Sequence, residues 1–486
     1  MKSIRKNKKR GSESVPAWAH AVAFFLFFSL VSGTALGQPP KADAERTSTN
    51  DDTLHVPATA PSSSASGRMR DVIPYDAEEL QKAADQIRRD VEITRNLKNL
   101  PNVPLVVRSE EELRSYILER VDELGESVIA AAQRALQLLG VLSDDQDYVE
   151  IVTDLLSEQV AGYYEPEDKR FYILRSDIEN FDPTVIAHEL QHAAQDANWD
   201  LDAFMRPAWR QDDIQSARSA LVEGDAMLTM LAYGSGVDVS RFPPGMTQLT
   251  ARMILAGLAE LYERYPRFII DGLVSGYASG LVFAHALYEE GGWDAVNGAF
   301  ETPPLSSEQV LYPERYIAGD EPTLLSFDIP AEIFGERRDS NVFGLASMRH
   351  LFQHLLDGRL DAPAIAQATS LWDGDRFELW SRPEGDVLVW LSVFDEERGA
   401  QDFFDLLEFT APRWVTGDLS CAVGLYGNRC GVVSEREGLL IERWGDLCLI
   451  VLAENAQKDA DTRILFSAAE AVWSSHRRAR YPQLFR

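Results

Sequence analysis

Apolar positions along this chain recur mostly at helical spacing. From Asp76 to about Gly162 they fall into three sets. Leu80, Ala83, Ile87, Val91 and Ile93 mark one helix, and Leu113, Ile117, Leu118, Val121 and Leu124 a second. Val149, Val152, Leu155, Leu156 and Val160 mark a third. These helices are expected to pack on the following unit rather than to form a removable propeptide. The run Gly162-Tyr163-Tyr164-Glu165-Pro166 breaks the pattern, and Arg170-Phe171-Tyr172-Ile173-Leu174 predicts a short strand. Helical spacing returns over 212–233, 247–262 and 268–290, where Gly291-Gly292 closes the last helix. The composition shifts near residue 330. In 387–394 both alternating sets are largely apolar, as in a strand buried on both faces. Residues 400–409 and 462–473 predict helices, and 430–441 with 448–453 a hairpin pair. The expected fold is α+β: a mainly helical domain over 71–330 with a short edge strand, then a smaller α+β domain over 331–486.

The N-terminus carries a different signal. Lys2, Arg5, Lys6, Lys8, Lys9 and Arg10 precede an apolar run over 17–30, and Ala35-Leu36-Gly37 offers a cleavage site before Gln38. Residues 1–37 therefore read as an export signal. The competing reading is an uncleaved anchor, because the run is close to the lower limit for a span. Residues 38–70, rich in Pro, Ser, Thr and Ala, read as a linker. The body of the chain is expected outside the cytoplasm, periplasmic or secreted, with no stable membrane span once the signal is removed. A net charge of −30 over 486 residues speaks against nucleic-acid binding and against adsorption to anionic lipid. Three cysteines are too few for a disulfide scaffold. Cys421 and Cys430 could close a short loop, and Cys448 sits in an apolar run as a packing thiol.

The chemistry concentrates at His188-Glu189-Leu190-Gln191-His192, an H-E-x-x-H pattern. On a helix the four-residue step returns to nearly the same face, so both imidazoles can reach one Zn²⁺. Glu189 lies about 100° round the helix, placed to act as general base on a water. Asp182 as N-cap and Pro183 as first helical residue support a helix start here. Catalytic zinc usually has three protein ligands and an open position. Gln195 and Asn198 stand where a metzincin would carry its glycine and third histidine, which excludes that class. The best third ligand is Glu223, in Ala220-Leu221-Val222-Glu223-Gly224-Asp225-Ala226, far enough on for a loop and a return helix. Gly224 would be explained by close packing of that helix on the metal helix. Asp196 and Asp225 are candidates to receive an imidazole N–H. Tyr277, His285, Tyr312 and Tyr316 are candidate oxyanion donors. His350 and His354 repeat the spacing without the glutamate and read as structural. A free edge on the 170–174 strand could pair with an extended peptide, pointing to a peptide or protein substrate.

His188, Glu189, His192 and Glu223 together resemble the gluzincin, or thermolysin-like, metallopeptidases. That resemblance covers residues 147–235 and implies a zincin-like two-lobed fold with zinc between helices. That group commonly places an aspartate four residues past the ligand glutamate; here the position is Met227. With Gly162-Tyr163-Tyr164 and Ser307-Glu308-Gln309 added, the string also looks like a group of exported bacterial proteins of unknown function, in which a histidine follows the leucine where this chain has Tyr312. The expected function is an exported zinc metallopeptidase. The alternatives are a cell-envelope binding or assembly factor with a structural metal, and a zinc hydrolase of a non-peptide amide. An intact Glu189 favours hydrolysis, since a structural site needs no base and is normally closed by four ligands.

Overall fold

The computed structural model describes residues 77–480, except 99, 175–181, 209–210, 424–426, 434–436 and 456–461. The segments expected to be an export signal, 1–37, and a linker, 38–70, lie outside the described residues. The chain is α+β. Its first part runs α1 (Ala77–Arg95), β1 (Leu105–Arg108), α2 (Glu110–Leu124), α3 (Glu126–Leu138) and α4 (Tyr148–Gln159). On α1 the buried stripe is Leu80, Ala84, Ile87 and Val91, while Ile93 faces solvent. Ser109 and Glu112 form a capping box that starts α2. β1 and α3 do not stand out in the sequence: one is only four residues long, and the other is alanine-rich, burying Ala131 and Ala135 beside Leu136.

β2 (Gly162–Glu165) and β3 (Arg170–Leu174) form a hairpin, and β1 joins β3 in parallel to give the order β1-β3-β2. The strand at 170–174 is therefore central, and the expectation of a free edge there is corrected. Both its edges carry ladder bonds, so the edge facing the next helix belongs to β2. The sequence hid this because β2 contains glycine and precedes proline, which reads as a turn.

The helical body follows: α5 (Pro183–Trp199), α6 (Leu201–Met205), α7 (Asp212–Ser235), α8 (Met246–Ala256), α9 (Ala259–Tyr262) and α10 (Arg267–Glu301). α10 does not stop at Gly291-Gly292. It breaks there, with non-helical angles at both glycines, and then resumes. Its far half is held by Trp199 stacking on Phe300 at 4.2 Å. Among the described residues α10 is the one helix long and apolar enough to cross a membrane, and most of that apolar window is buried in the fold.

Short helices α11 (Ser307–Leu311), α12 (Pro313–Ala318) and α13 (Ala331–Phe334) lead to the C-terminal sheet. It comprises β4 (Glu336–Asn341), β5 (Trp372–Arg382), β6 (Gly385–Phe394), β7 (Ser420–Val423), β8 (Asn428–Val433), β9 (Glu437–Trp444) and β10 (Leu447–Glu454). The seven strands are antiparallel in the order β4-β5-β6-β10-β9-β8-β7. The segment 430–441 thus spans two strands of a meander rather than one arm of a hairpin. Helices α14 (Leu345–Leu355), α15 (Ala362–Ala368), α16 (Glu397–Thr410) and α17 (Thr462–Arg480) accompany the sheet. Val387, Val389 and Leu391 pack with α17 through Ala468 and Trp473, while Leu388 and Trp390 face Phe403 of α16. Helices on both sides explain the unbroken apolar run of β6. Cys421 and Cys430, opposite each other on β7 and β8, form a disulfide, and Cys448 is buried with its thiol on the Ala400 carbonyl.

The 331 boundary does not separate two cores. The main cluster runs from Leu113 and Tyr163 through Leu273 and Phe352 to Trp390 and Phe403. Arg134 of α3 pairs with Asp386 at 2.8 Å and Glu454 at 2.6 Å, and Trp414 donates to the Leu139 carbonyl.

Candidate metal centre

Asp182 accepts from the Thr184 amide at 2.8 Å and Pro183 opens α5, so the helix starts where its capping residues place it. Every residue of α5 from Val185 to Asp196 is buried, since β2, α1 and α7 surround it. His188, Glu189 and His192 are consequently 1 %, 3 % and 0 % exposed. α7 lies alongside and turns Glu223 towards the two histidines.

Three donor atoms converge. His188 Nε2 lies 3.0 Å from His192 Nε2 and 3.1 Å from Glu223 Oε2, and the third side of the triangle is 3.5 Å. Ligands held about 2.0–2.1 Å from a tetrahedral zinc stand about 3.3 Å apart. The donor set and its spacing therefore fit that ion, and His188, His192 and Glu223 would hold it.

The surroundings orient this triangle. Gln195 donates through Nε2 to the Val222 carbonyl and to Asp225 Oδ2, both at 2.9 Å. Its Oε1 is thus left to accept from His192 Nδ1 at 2.8 Å. A proton is fixed on Nδ1, and Nε2 faces His188 and Glu223, where its lone pair is offered to an ion once the ring is neutral. Asp225 reaches the imidazole through Gln195 rather than directly. It also accepts from Gln191 at 2.7 Å and from Arg95 of α1 at 2.5 Å, with both charged groups of that pair fully buried.

Asp196 is not a histidine partner. It accepts from the Tyr164 hydroxyl at 2.7 Å and from Lys169 at 2.6 Å, which fastens the β2–β3 hairpin to α5. The Tyr164 amide, on the outer edge of β2, donates to Glu189 Oε2 at 2.8 Å. The edge strand therefore holds one oxygen of the glutamate.

The charges follow the geometry. Burial pushes the Glu189 carboxyl up to about 8, against the pull of His192. Burial works to lower His192, but Glu223 outweighs it and holds the imidazole up to about 9. Burial drives His188 below the ordinary imidazole value despite its bond to Glu223. Glu223 resists its own burial and sits below the usual carboxylate range because of both histidines.

Gly224 has a different neighbour from the one expected. A Cβ on it would overlap the carbonyl of Gly280, and a Cβ on Gly280 would overlap the carbonyl of Ala220. The close crossing is with α10, not with the metal helix. It brings Tyr277, one turn before Gly280, into a stack on the His188 ring with centroids 6.0 Å apart. The other three oxyanion candidates are engaged elsewhere. Tyr312 accepts from Arg349 at 3.0 Å, Tyr316 donates to the Thr302 carbonyl, and His285 lies against Thr247 and Phe242. His188 Nδ1 is buried without a hydrogen-bond partner among the described residues, and the position four past Glu223 is Met227. His350 and His354 lie on α14, away from this centre.

Sequence reading missed Tyr164, Gln195, Arg95 and Lys169. Gln195 could have been found, since three residues past His192 is the same helix face. Arg95 could not, because nothing local marks a partner 130 residues away.

Residues 331–462 match a family described as a domain of unknown function (DUF8575), which begins at α13 and covers the C-terminal sheet. No curated protein matches the chain. No solved structure matches it either.

Proposed function

We propose that the chain is an exported zinc-dependent metallopeptidase that hydrolyses peptide bonds. The observation that carries this reading is the buried triangle of His188, His192 and Glu223 with Glu189 beside it. Zinc, when bound, supplies Lewis acidity towards water and towards the carbonyl to be cleaved. The chain's own residues do the rest. Gln195 and Asp225 hold His192 in the ligating tautomer. Glu189, ionised once a cation sits beside it, takes the proton of the attacking water and passes it to the departing amine. The Tyr164 amide fixes one Glu189 oxygen and so aims the other. The outer edge of β2 beside Glu189 is where an extended peptide would pair, orienting its scissile bond. Of the four oxyanion candidates, Tyr277 is the one whose ring lies against His188.

The test is metal analysis of the purified chain followed by digestion of a denatured proteome. The expected result is one zinc per chain and new peptide termini. Glu189→Gln should keep the zinc and abolish the termini. Stoichiometric zinc with identical wild-type and variant digests would reject hydrolysis and leave a binding factor with a structural metal.

A further inference from the structure

A cavity of about 230 Å³, partly open to solvent, lies where α3, α7 and α10 meet the C-terminal sheet region. Its walls are largely apolar. Phe268 and Phe343 stack with centroids 6.0 Å apart, and Phe377 stands edge-on to Phe343 at 6.1 Å. Gly272 of α10 lines the same space, and a Cβ added to it would meet nothing within 4 Å. The void is therefore real room in front of the helix.

Three residues with polar, uncharged side chains also line the cavity: Tyr148, Ser347 and His350. Among the described residues none of these three has a hydrogen-bond partner for its side chain. Their donors and acceptors are therefore available to an occupant of this partly open space. Burial keeps His350 below its ordinary value, so it meets an occupant as neutral imidazole, able to donate and accept. Two acidic residues, Asp212 and Asp339, also line the wall, and no lysine or arginine is among the described lining residues to hold an anion.

We propose that this cavity binds a small aromatic molecule bearing a hydroxyl or amino group and no negative charge. The volume suits one ring with one or two substituents, since an apolar cavity of about 150 Å³ accepts benzene. Three phenylalanines supply stacking faces. Tyr148, Ser347 and His350 supply the hydrogen bonds that set orientation. The site is independent of the metal centre and of the hydrolytic reading.

The probes are 4-methylphenol, tyramine and 4-hydroxybenzoate, titrated into the purified chain by calorimetry and ligand-observed NMR. Saturable one-to-one binding is expected for the first two, and at least tenfold weaker binding for the anion. Gly272→Leu should fill the space and weaken binding at least tenfold with an unchanged or raised melting temperature. No saturable binding, equal binding of the anion, or a Gly272→Leu variant that binds like wild type would each overturn the proposal. A diazirine derivative of 4-methylphenol on the unmutated chain gives a readout that does not depend on a variant folding. Crosslinks should fall in 268–273 and 343–350, and crosslinks confined to other segments would sink the idea.

Discussion

Gln195 Oε1 lies 2.8 Å from Nδ1 of His192, and this contact decides which imidazole nitrogen faces Glu223. Because the Gln195 amide nitrogen is spent on Val222 and Asp225, the oxygen has no freedom to flip away. Gln195→Ala removes the acceptor and lets the ring change tautomer. Loss of such an outer partner typically weakens metal binding about 10–100-fold. Competition against a chelator of known zinc affinity should show a shift of that size with little change in the circular dichroism spectrum. An unchanged zinc affinity would mean that the histidine is oriented by its packing alone.

The α7–α10 crossing permits a paired test at two glycines. Gly224→Ala gains about 1 kcal/mol of helix propensity but drives a methyl group into the Gly280 carbonyl. Overpacking of this kind costs about 1–3 kcal/mol and more where backbone cannot move. Gly272→Ala, on α10 about two turns before the crossing and facing open space, should gain about 0.5–1 kcal/mol. Urea midpoints of the two variants should therefore move in opposite directions. Gly224→Ala should also lower zinc affinity, because α7 carries Glu223.

The contrast between these glycines shows what was legible beforehand. Most helix periods, the Asp182-Pro183 start, the two-faced β6 strand and the shared helix face of His188 and His192 lie in local patterns and are legible, whereas Glu223 joins those histidines from a separate helix. The register of α1 slipped from Ala83 to Ala84 because the two neighbouring alanines are chemically alike. β2 was misread because Gly162 and Pro166 bracket it. Gly224 was recognised as a close contact but assigned to the wrong helix, since a glycine reports proximity without naming its neighbour. The Arg95–Asp225 pair and the cavity at the α10 seam are products of tertiary packing, which no local pattern encodes.

Arg95 and Asp225 are both fully buried, with the guanidinium also over Trp293 at 4.2 Å and bonded to Asn297. Arg95→Leu leaves the carboxylate with only the Gln191 and Gln195 amides. Removing one partner of a buried pair costs about 3–5 kcal/mol. Arg95→Leu combined with Asp225→Leu should recover a good part of that loss, because no uncompensated charge remains. The measurement is a double-mutant cycle of chemical denaturation. Equal stability of Arg95→Leu and wild type would show that α1 docks on α7 through its other contacts alone.

Asp375 gives a pH signature away from the metal centre. It is buried, and its oxygens accept from the Phe343 and Gly344 amides and from the Trp372 indole. Burial nevertheless raises its carboxyl to about 6, against an ordinary value of 3.8. The folded chain therefore binds this proton more tightly than the unfolded chain does. The contribution of Asp375 is full below pH about 4, falls as pH rises from about 4 to 6, and is constant above that. The two values differ by enough to remove about 3 kcal/mol across the window. Asp375→Asn cannot titrate, so the stability difference between wild type and variant should narrow or reverse by that amount between pH 4 and 6.5. Guanidinium denaturation at half-unit pH steps reads it directly. A difference that stays flat across the window would place the Asp375 proton off the folded protein well below pH 6.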